Sequence, residues 1–239
     1  MNYIIGSTGF LSSALLACRP DNFLVSNVFS LRNHDLEFLH LIAKDPSPNV
    51  LFIAWPTDIY FDDLEHIRFC ENVAIPFVDK LYEQCPHARL VTYGTCLEYG
   101  LINGGLDENQ ICAPCTKLGA AKTMLYMHCL NLGFSSYMHL RIFYPYDFEY
   151  PKKSSFIYYL KQAIDENKSS FDMSIGTQER DFIDIRDYSD SICNLLAKDH
   201  WPVSIANLGS NIPCTVLDLA RKYLSYRDSE ISLCLDRIP

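Results

Sequence analysis

The sequence lacks any run of about 18 consecutive apolar residues, the length a membrane-spanning helix needs. It also lacks an excess of positive charge. Lys and Arg number 20 against 29 Asp and Glu, a net charge of −9. The overall field therefore repels nucleic acid and anionic membranes, while leaving room for a local basic pocket that holds a phosphate. Met1 to Ser7 has no cationic stretch and no cleavage site, so we expect no secretory leader and a cytoplasmic location. No Gly/Ser- or Pro-rich linker interrupts the 239 residues. That favours one compact unit with a small C-terminal lobe. Cysteine is not scarce, but its ten residues are scattered and read as small buried hydrophobes. Only Cys112 and Cys115 have C-x-x-C spacing, and no second pair completes a zinc site. We expect no metal, and a C-x-x-C redox function is the remotest reading.

Apolar runs alternate with helical spacing. Tyr3–Ile5 reads as a strand, Phe23–Leu31 as a second, Val50–Ala54 as a third and Leu90–Gly94 as a fourth. A fifth covers Tyr137–Phe143. Helical periodicity marks Asp35–Ala43, Asn72–Cys85 and Ala120–Leu132. Continuous apolar strands separated by helices mean βαβ units and a doubly wound parallel sheet of Rossmann type. We expect this α/β domain to span residues 1–150. Residues 151–239, with a helix over Lys152–Asn167, a short strand over Phe182–Ile185 and a helix over Val216–Tyr226, are expected to form a small α/β substrate lobe.

The first strand runs directly into Gly6-Ser7-Thr8-Gly9-Phe10-Leu11-Ser12 and then a helix. Gly6 allows the tight turn, and Gly9 lets a pyrophosphate approach the free N–H groups at the helix start. The third glycine of the usual pattern is absent, since Ser12 stands there. In this strand-turn-helix context the motif points to a dinucleotide. Gly6, Ala54 and Thr95 all fall at or just past strand ends, where ligands of such sheets sit.

These segments together resemble the extended short-chain dehydrogenases/reductases, the epimerase/dehydratase family that includes nucleotide-sugar 4-keto reductases. Phe52-Ile53-Ala54 resembles the stretch that sets an alanine beside the cofactor, and Asn72-Val73 the Asn-Val that opens the family's next helix. Gly94-Thr95-Cys96-Leu97-Glu98-Tyr99-Gly100 is similar to the segment with the catalytic Ser/Thr and a Tyr-Gly. Leu140-Arg141, Arg180-Asp181-Phe182-Ile183-Asp184-Ile185 with Asp187, and Asn207-Leu208-Gly209-Ser210 continue the likeness in order. The resemblance implies a nicotinamide dinucleotide held by Gly6, Thr8, Gly9, Phe10, Leu11, Ala54, Asn72 and Lys122. It implies catalytic roles for Thr95 and Lys122, substrate contacts by Thr95, Glu98, Tyr99 and Arg180, a nucleotide-sugar ligand, and room for a homodimer.

One departure bears on mechanism. The family's acid/base is a Tyr four residues before the Lys, and the residue four before Lys122 is Leu118. Tyr126 shares the helix face of Lys122, but it lies about 12 Å along the helix from position 118 and cannot stand in by register. Arg32 ends the second strand, where an acid would select NAD; an Arg suits a 2′-phosphate, so NADP(H) is the expected preference with NAD(H) the alternative. Arg180 presents a planar fork suited to phosphate oxygens, unless it pairs with Asp181 or Asp187. Two functions therefore compete. One is an NAD(P)-dependent enzyme of nucleotide-sugar metabolism, with hydride transfer to a 4-keto group. The other is a catalytically degenerate dinucleotide-binding sensor or partner subunit, the reading Leu118 favours. The position after Thr95 is Cys96 rather than an acid, which weighs against a dehydratase.

Overall fold

The structure is a computed structural model, and it describes residues 1–26, 36–56, 59–102, 104–201 and 204–238. The chain opens with β1 (Asn2–Ile5), α1 (Phe10–Cys18), β2 (Phe23–Ser26), α2 (Leu36–Ala43) and β3 (Asn49–Phe52). Next come α3 (Glu65–Phe69), a π turn (Cys70–Ala74), α4 (Ile75–Gln84), β4 (Arg89–Thr95), α5 (Lys117–Leu132) and β5 (Ser136–Ile142). The remainder holds β6 (Pro145–Tyr146), α6 (Phe156–Asp165), β7 (Ser170–Asp172), β8 (Glu179–Asp181), β9 (Ile183–Asp184) and α7 (Ile185–Leu196). Last are β10 (Ile205–Leu208), β11 (Pro213–Thr215), α8 (Val216–Tyr226) and β12 (Ser232–Cys234).

Among the described residues, six strands form one parallel sheet in the order β10-β5-β4-β3-β1-β2. The continuous apolar runs dictate this. Tyr3, Val50, Leu90 and Tyr137 lie in register on one face, and Ile4, Leu51, Val91 and Met138 on the other; all are buried. A strand buried on both faces needs helices on both, which is the doubly wound arrangement. On the Tyr3 face, Leu39 and Ile42 of α2, Val78 and Leu81 of α4, and Ala121, Leu125 and Cys129 of α5 close the core. Phe52 stacks on Phe77 there at 5.5 Å. The buried thiols belong to this packing: burial pushes Cys70 up to about 11 and Cys129 up to about 12. The chain runs from β1 outward to β2, then returns to β3 on the other side of β1. That reversal is the switch point where such sheets bind ligands, at the carboxyl ends of β1 and β3.

The chain divides into two compact units, residues 1–142 with 189–208, and residues 143–188 with 209–239. The single boundary expected near residue 150 is therefore replaced by a discontinuous one, because β10 returns to the parallel sheet beside β5. The second unit is built on Ile157, Leu160, Ala163, Met173, Leu219, Ala220, Tyr223 and Ile231. Its strands pair two by two: β6 with β9, β7 with β12 and β8 with β11.

Several boundaries differ from the sequence-based expectation for local reasons. The helix expected from Asn72 opens earlier, at Glu65, and residue 72 falls in the π turn. α5 starts at Lys117 because the Thr116 hydroxyl accepts the Gly119 N–H at 3.1 Å. It ends at Gly133, whose φ of +79° is the left-handed stop glycine tolerates. The strand expected over Phe182–Ile185 shrinks to β9, and Ile185 instead begins α7. Of the second expected strand, Phe23–Ser26 is extended, and residues 27–31 lie outside the described residues.

Candidate functional site

The turn after β1 is shaped by contacts that only glycine permits. Gly6 has φ +99°, and a Cβ there would lie 2.5 Å from the Ala54 Cα and 2.6 Å from its nitrogen. The Ala54 N–H donates to Ile5 O at 2.8 Å, so β1 and the end of β3 are stitched where the turn leaves the sheet. Ser12 explains why a third glycine is unnecessary. Its side chain is wholly buried, and its hydroxyl donates to Gly6 O at 2.5 Å, fixing the helix onto the turn it follows. α1 then opens on Gly9 with no side-chain cap and no acid in its first turn. By contrast, α5, α6 and α8 each open on a Thr or Ser whose oxygen accepts an N–H. A Cβ on Gly9 would meet nothing within 4 Å. The first-turn N–H groups of α1 have no partner within the helix and no side-chain cap, so the positive end of the helix dipole lies bare at the turn after β1. Thr8 at this turn is exposed, and Phe10 and Leu11 are half-buried.

At the end of β4, Thr95 caps a 3-10 turn over Cys96–Tyr99. Its N–H donates to Glu98 Oε1 at 2.8 Å, and its Oγ accepts the Leu97 N–H at 3.4 Å, which leaves its own O–H as a donor. This reciprocal box turns Glu98 inward. Glu98 is wholly buried; His139 Nε2 donates to it at 3.1 Å and Arg141 Nε at 3.0 Å. Burial alone would raise its carboxyl, but His139, the Thr95 N–H and Arg141 outweigh that and hold it below the usual glutamate range. Gly94 is required here, since a Cβ would collide with the Glu98 carboxylate and the His139 ring. Arg141 lies 4.4 Å over the Tyr99 ring and donates to Cys112 Sγ at 2.7 Å, and Tyr99 donates to Asn207 Oδ1 at 2.7 Å. Glu98 and Tyr99, expected to touch substrate, are therefore placed in the interior as the hub of this network. Cys112 of the C-x-x-C pair joins it as an acceptor.

Lys122 is buried on α5, and no carboxylate pairs with it among the described residues. Its Nζ sits 3.6 Å from the centre of the Trp55 ring, directly past Ala54. Trp55 is held in turn: its Nε1–H donates to His66 Nδ1 at 3.1 Å, and His66 Nε2 donates to Tyr60 O at 3.0 Å. Burial pushes the Lys122 ammonium down from an ordinary 10.5 to about 7, with Glu98 and Cys70 pulling weakly the other way. Trp55 and His66 are the parts of this site that sequence reading missed. A lone Trp beside the expected alanine carries no spacing signal.

The family model named NAD dependent epimerase/dehydratase family matches residues 74–209, more than half of the chain. The chain belongs to this family. Solved structures of the same fold include UDP-N-acetylglucosamine 4-epimerase from Methanobrevibacter ruminantium M1 in complex with UDP-N-acetylmuramic acid. That pair has a TM-score of 0.79 at 19% identity, over 100% of this chain and 86% of that one. RMD from Pseudomonas aeruginosa complexed with NADPH superposes with a TM-score of 0.77 at 16% identity, over 98% and 85% of the two chains. The dTDP-glucose 4,6-dehydratase from Bacillus anthracis str. Ames in complex with NAD gives 0.74 at 16%, over 100% and 85%. At such identities the likeness establishes a Rossmann-type α/β fold. No curated protein compared by sequence matches the chain.

Within this family chain the remaining expected residues fall as follows. Leu118 is half-buried in the first turn of α5, its N–H donating to Phe61 O at 2.8 Å. Asn72 is exposed, and its amide donates to Arg68 O in its own helix at 2.9 Å. Arg180, in the second unit, is exposed; it donates to Glu179 O at 2.7 Å and lies 5.4 Å over Tyr144. Asp181 is engaged elsewhere, accepting the N–H groups of Ser210 and Asn211. Arg32 lies outside the described residues. No helix among the described residues is long and apolar enough to cross a membrane.

Two outcomes follow from the buried charges. Glu98→Gln leaves Arg141 buried without its counter-charge and should lower the unfolding free energy by about 3–5 kcal/mol, measured by urea titration; a loss under about 1 kcal/mol would show that the network is dispensable. Lys122 acts with the opposite sign. Between its folded value of about 7 and the ordinary 10.5, the unfolded chain binds more protons, so stability rises with pH across that window. The burial penalty is complete below the window. Lys122→Met should therefore be more stable than wild type near neutral pH, with the gap closing as pH is raised through the window. A gap in melting temperature that stays constant with pH would contradict this assignment.

Proposed function

We propose that the chain is a nicotinamide-dinucleotide-dependent enzyme that transfers hydride to the 4-keto group of a nucleotide-linked sugar. The observation that carries the reading is the turn at Gly6–Leu11. Its backbone is closed against Ala54, its helix start has no side-chain cap, and a Cβ on Gly9 would meet no described atom within 4 Å, which suits a pyrophosphate. Lys122 fits as well, since a buried ammonium without an oxygen acceptor calls for the hydroxyls a ribose supplies. The dinucleotide, in its reduced form when bound, would supply the hydride.

The chain's own residues do the rest. The N–H groups of the turn and of the first turn of α1 hold the pyrophosphate, and Ala54 keeps the crevice floor low beside it. Lys122 orients the ribose. The Thr95 O–H donates to the sugar carbonyl oxygen and polarises it. Arg180 takes phosphate oxygens of the nucleotide. Leu118 cannot give a proton, so the carbonyl proton comes through Thr95 or a water it orders. NADP(H) is the preferred cofactor, a reading that rests on Arg32 and on the lack of an acid from Ser26 to Arg32.

A second reading, a dinucleotide-binding protein without catalysis, is favoured by Leu118 alone. Gly9 tests the binding they share. With φ −83° and open space around its Cα, Gly9→Val should fold normally. Its branched side chain should nonetheless stand before the helix N–H groups and abolish NADPH binding in calorimetry; wild-type affinity would overturn both readings. Leu118→Tyr separates them. An enzyme that has only lost its proton donor should gain about 10²-fold or more in 4-keto-sugar reduction, the usual contribution of a general acid. No turnover in wild type and none in Leu118→Tyr, with NADPH bound in both, would leave only the second reading.

A further inference from the structure

Trp55 is fixed from three sides. Its indole N–H is spent on His66, which is only 2% exposed and anchored through Tyr60 O. Its ring meets Phe69 edge-on at 5.2 Å, and its face carries the Lys122 ammonium at 3.6 Å. The bond from Trp55 leaves His66 in one tautomer, Nδ1 accepting and Nε2 donating. A reversal of the indole would break that bond and bury its donor unpaired. The ring plane is thus set by hydrogen bonds rather than by packing alone.

An ammonium seated on an aromatic face is held by the ring quadrupole without using up a hydrogen-bond acceptor. With one side of Nζ on the ring and no oxygen partner among the described residues, the N–H donors on the opposite side remain for a ligand. A carboxylate in the place of Trp55 would take those donors for itself.

We propose that Trp55, locked by His66, is a positioning residue for Lys122, seating the ammonium on its ring so that the remaining N–H groups meet the hydroxyls of the nicotinamide ribose. The inference deepens the cofactor reading above and rests on it. The ring serves as a permanent floor: ligand binds on the far side of Nζ and the cation–π contact persists in the complex. Neither residue takes part in hydride or proton transfer. Trp55→Leu removes the seat, while Trp55→Phe keeps an aromatic face and gives up only the bond to His66.

The test compares ADP, which reaches the glycine turn but lacks the nicotinamide half, with NADPH, using calorimetry and NMR of the [13C]lysine-labelled chain. In free wild-type protein one lysine ε-CH2 signal, assigned by its loss in Lys122→Met, should be shifted upfield by the indole ring current and should stay so when NADPH binds. Trp55→Leu should weaken NADPH binding by about tenfold, the size of a partly desolvated cation–π contact, and leave ADP binding unchanged. Trp55→Phe should restore most of the NADPH affinity. If Trp55→Leu folds poorly, judged by its melting temperature, Trp55→Phe and the wild-type lysine signal still decide the matter. Disappearance of the upfield shift on adding NADPH would mean that the ring is displaced rather than retained, and would overturn the proposal. Unchanged or tighter NADPH binding in Trp55→Leu would overturn it while leaving the cofactor reading intact. Binding of neither ADP nor NADPH by any form, wild type included, would remove the cofactor reading and the proposal together.

Discussion

The first unit depends on a single buried carboxylate. Glu98 reaches back from the 3-10 turn into the space that Gly94 leaves on β4, and there meets His139 and Arg141 of β5. A charge with no exposure is tolerated only if every oxygen has a partner, and here the partners come from three places: the Thr95 backbone and two adjacent positions on one face of β5. The arrangement ties chemistry to architecture. The Thr95 N–H is committed to Glu98, and its hydroxyl oxygen caps the turn by accepting the Leu97 N–H. Arg141 extends the network to Tyr99 and Cys112, and Tyr99 extends it to Asn207 on β10, whose N–H in turn donates to Glu108 at 2.6 Å. The loop between β4 and α5 is thus fastened to the sheet edge through side chains, where the ladder bonds of the strands cannot reach.

That network also shows where a linear reading of the chain stops. The strands of the sheet were legible because a parallel sheet covered on both faces demands unbroken apolar runs, and Tyr3–Ile5, Val50–Phe52 and Leu90–Val91 supply them. The glycine turn was legible because Gly6 has a steric reason that shows in its position after a strand. Glu98 was not. Three residues after Thr95 it reads like a carboxylate offered to a substrate, and only the capping box, a three-dimensional object, turns it inward. β10 and α7 escaped for a different reason. β10 is half-buried throughout, so it has no strong apolar run, and α7 begins inside a stretch whose Phe182–Ile185 alternation suits a strand. The discontinuous units follow from that one missed strand.

The site shows the same division. Backbone-built parts, such as the Gly6 turn, the uncapped start of α1 and the Thr95 cap, are each fixed by φ, ψ and the end of a strand. Side-chain-built parts depart. Position 118 has a leucine, Lys122 rests on an indole, and Asn72 spends its amide on the Arg68 carbonyl of α3. Backbone geometry has little freedom to change without breaking the sheet, whereas a side chain at the rim of the crevice can change at little cost in stability.

These departures are linked through one charge. A phenol hydroxyl at position 118 would stand one helical turn before Lys122, close enough for the two groups to share solvation. With leucine there, no hydroxyl is supplied from position 118, and burial lowers the Lys122 pKa to about 7. An indole is the partner that offsets this without supplying a negative charge: its face attracts the cation, and its only polar atom is already satisfied by His66. A carboxylate would have kept Lys122 charged more firmly, but it would have added a second anion to the charge that Glu98 already brings to bear on Lys122. Leu118, Trp55 and His66 are therefore best understood as one set. The leucine on α5 and the aromatic wall past β3 leave the Lys122 ammonium on an indole face with no carboxylate partner among the described residues.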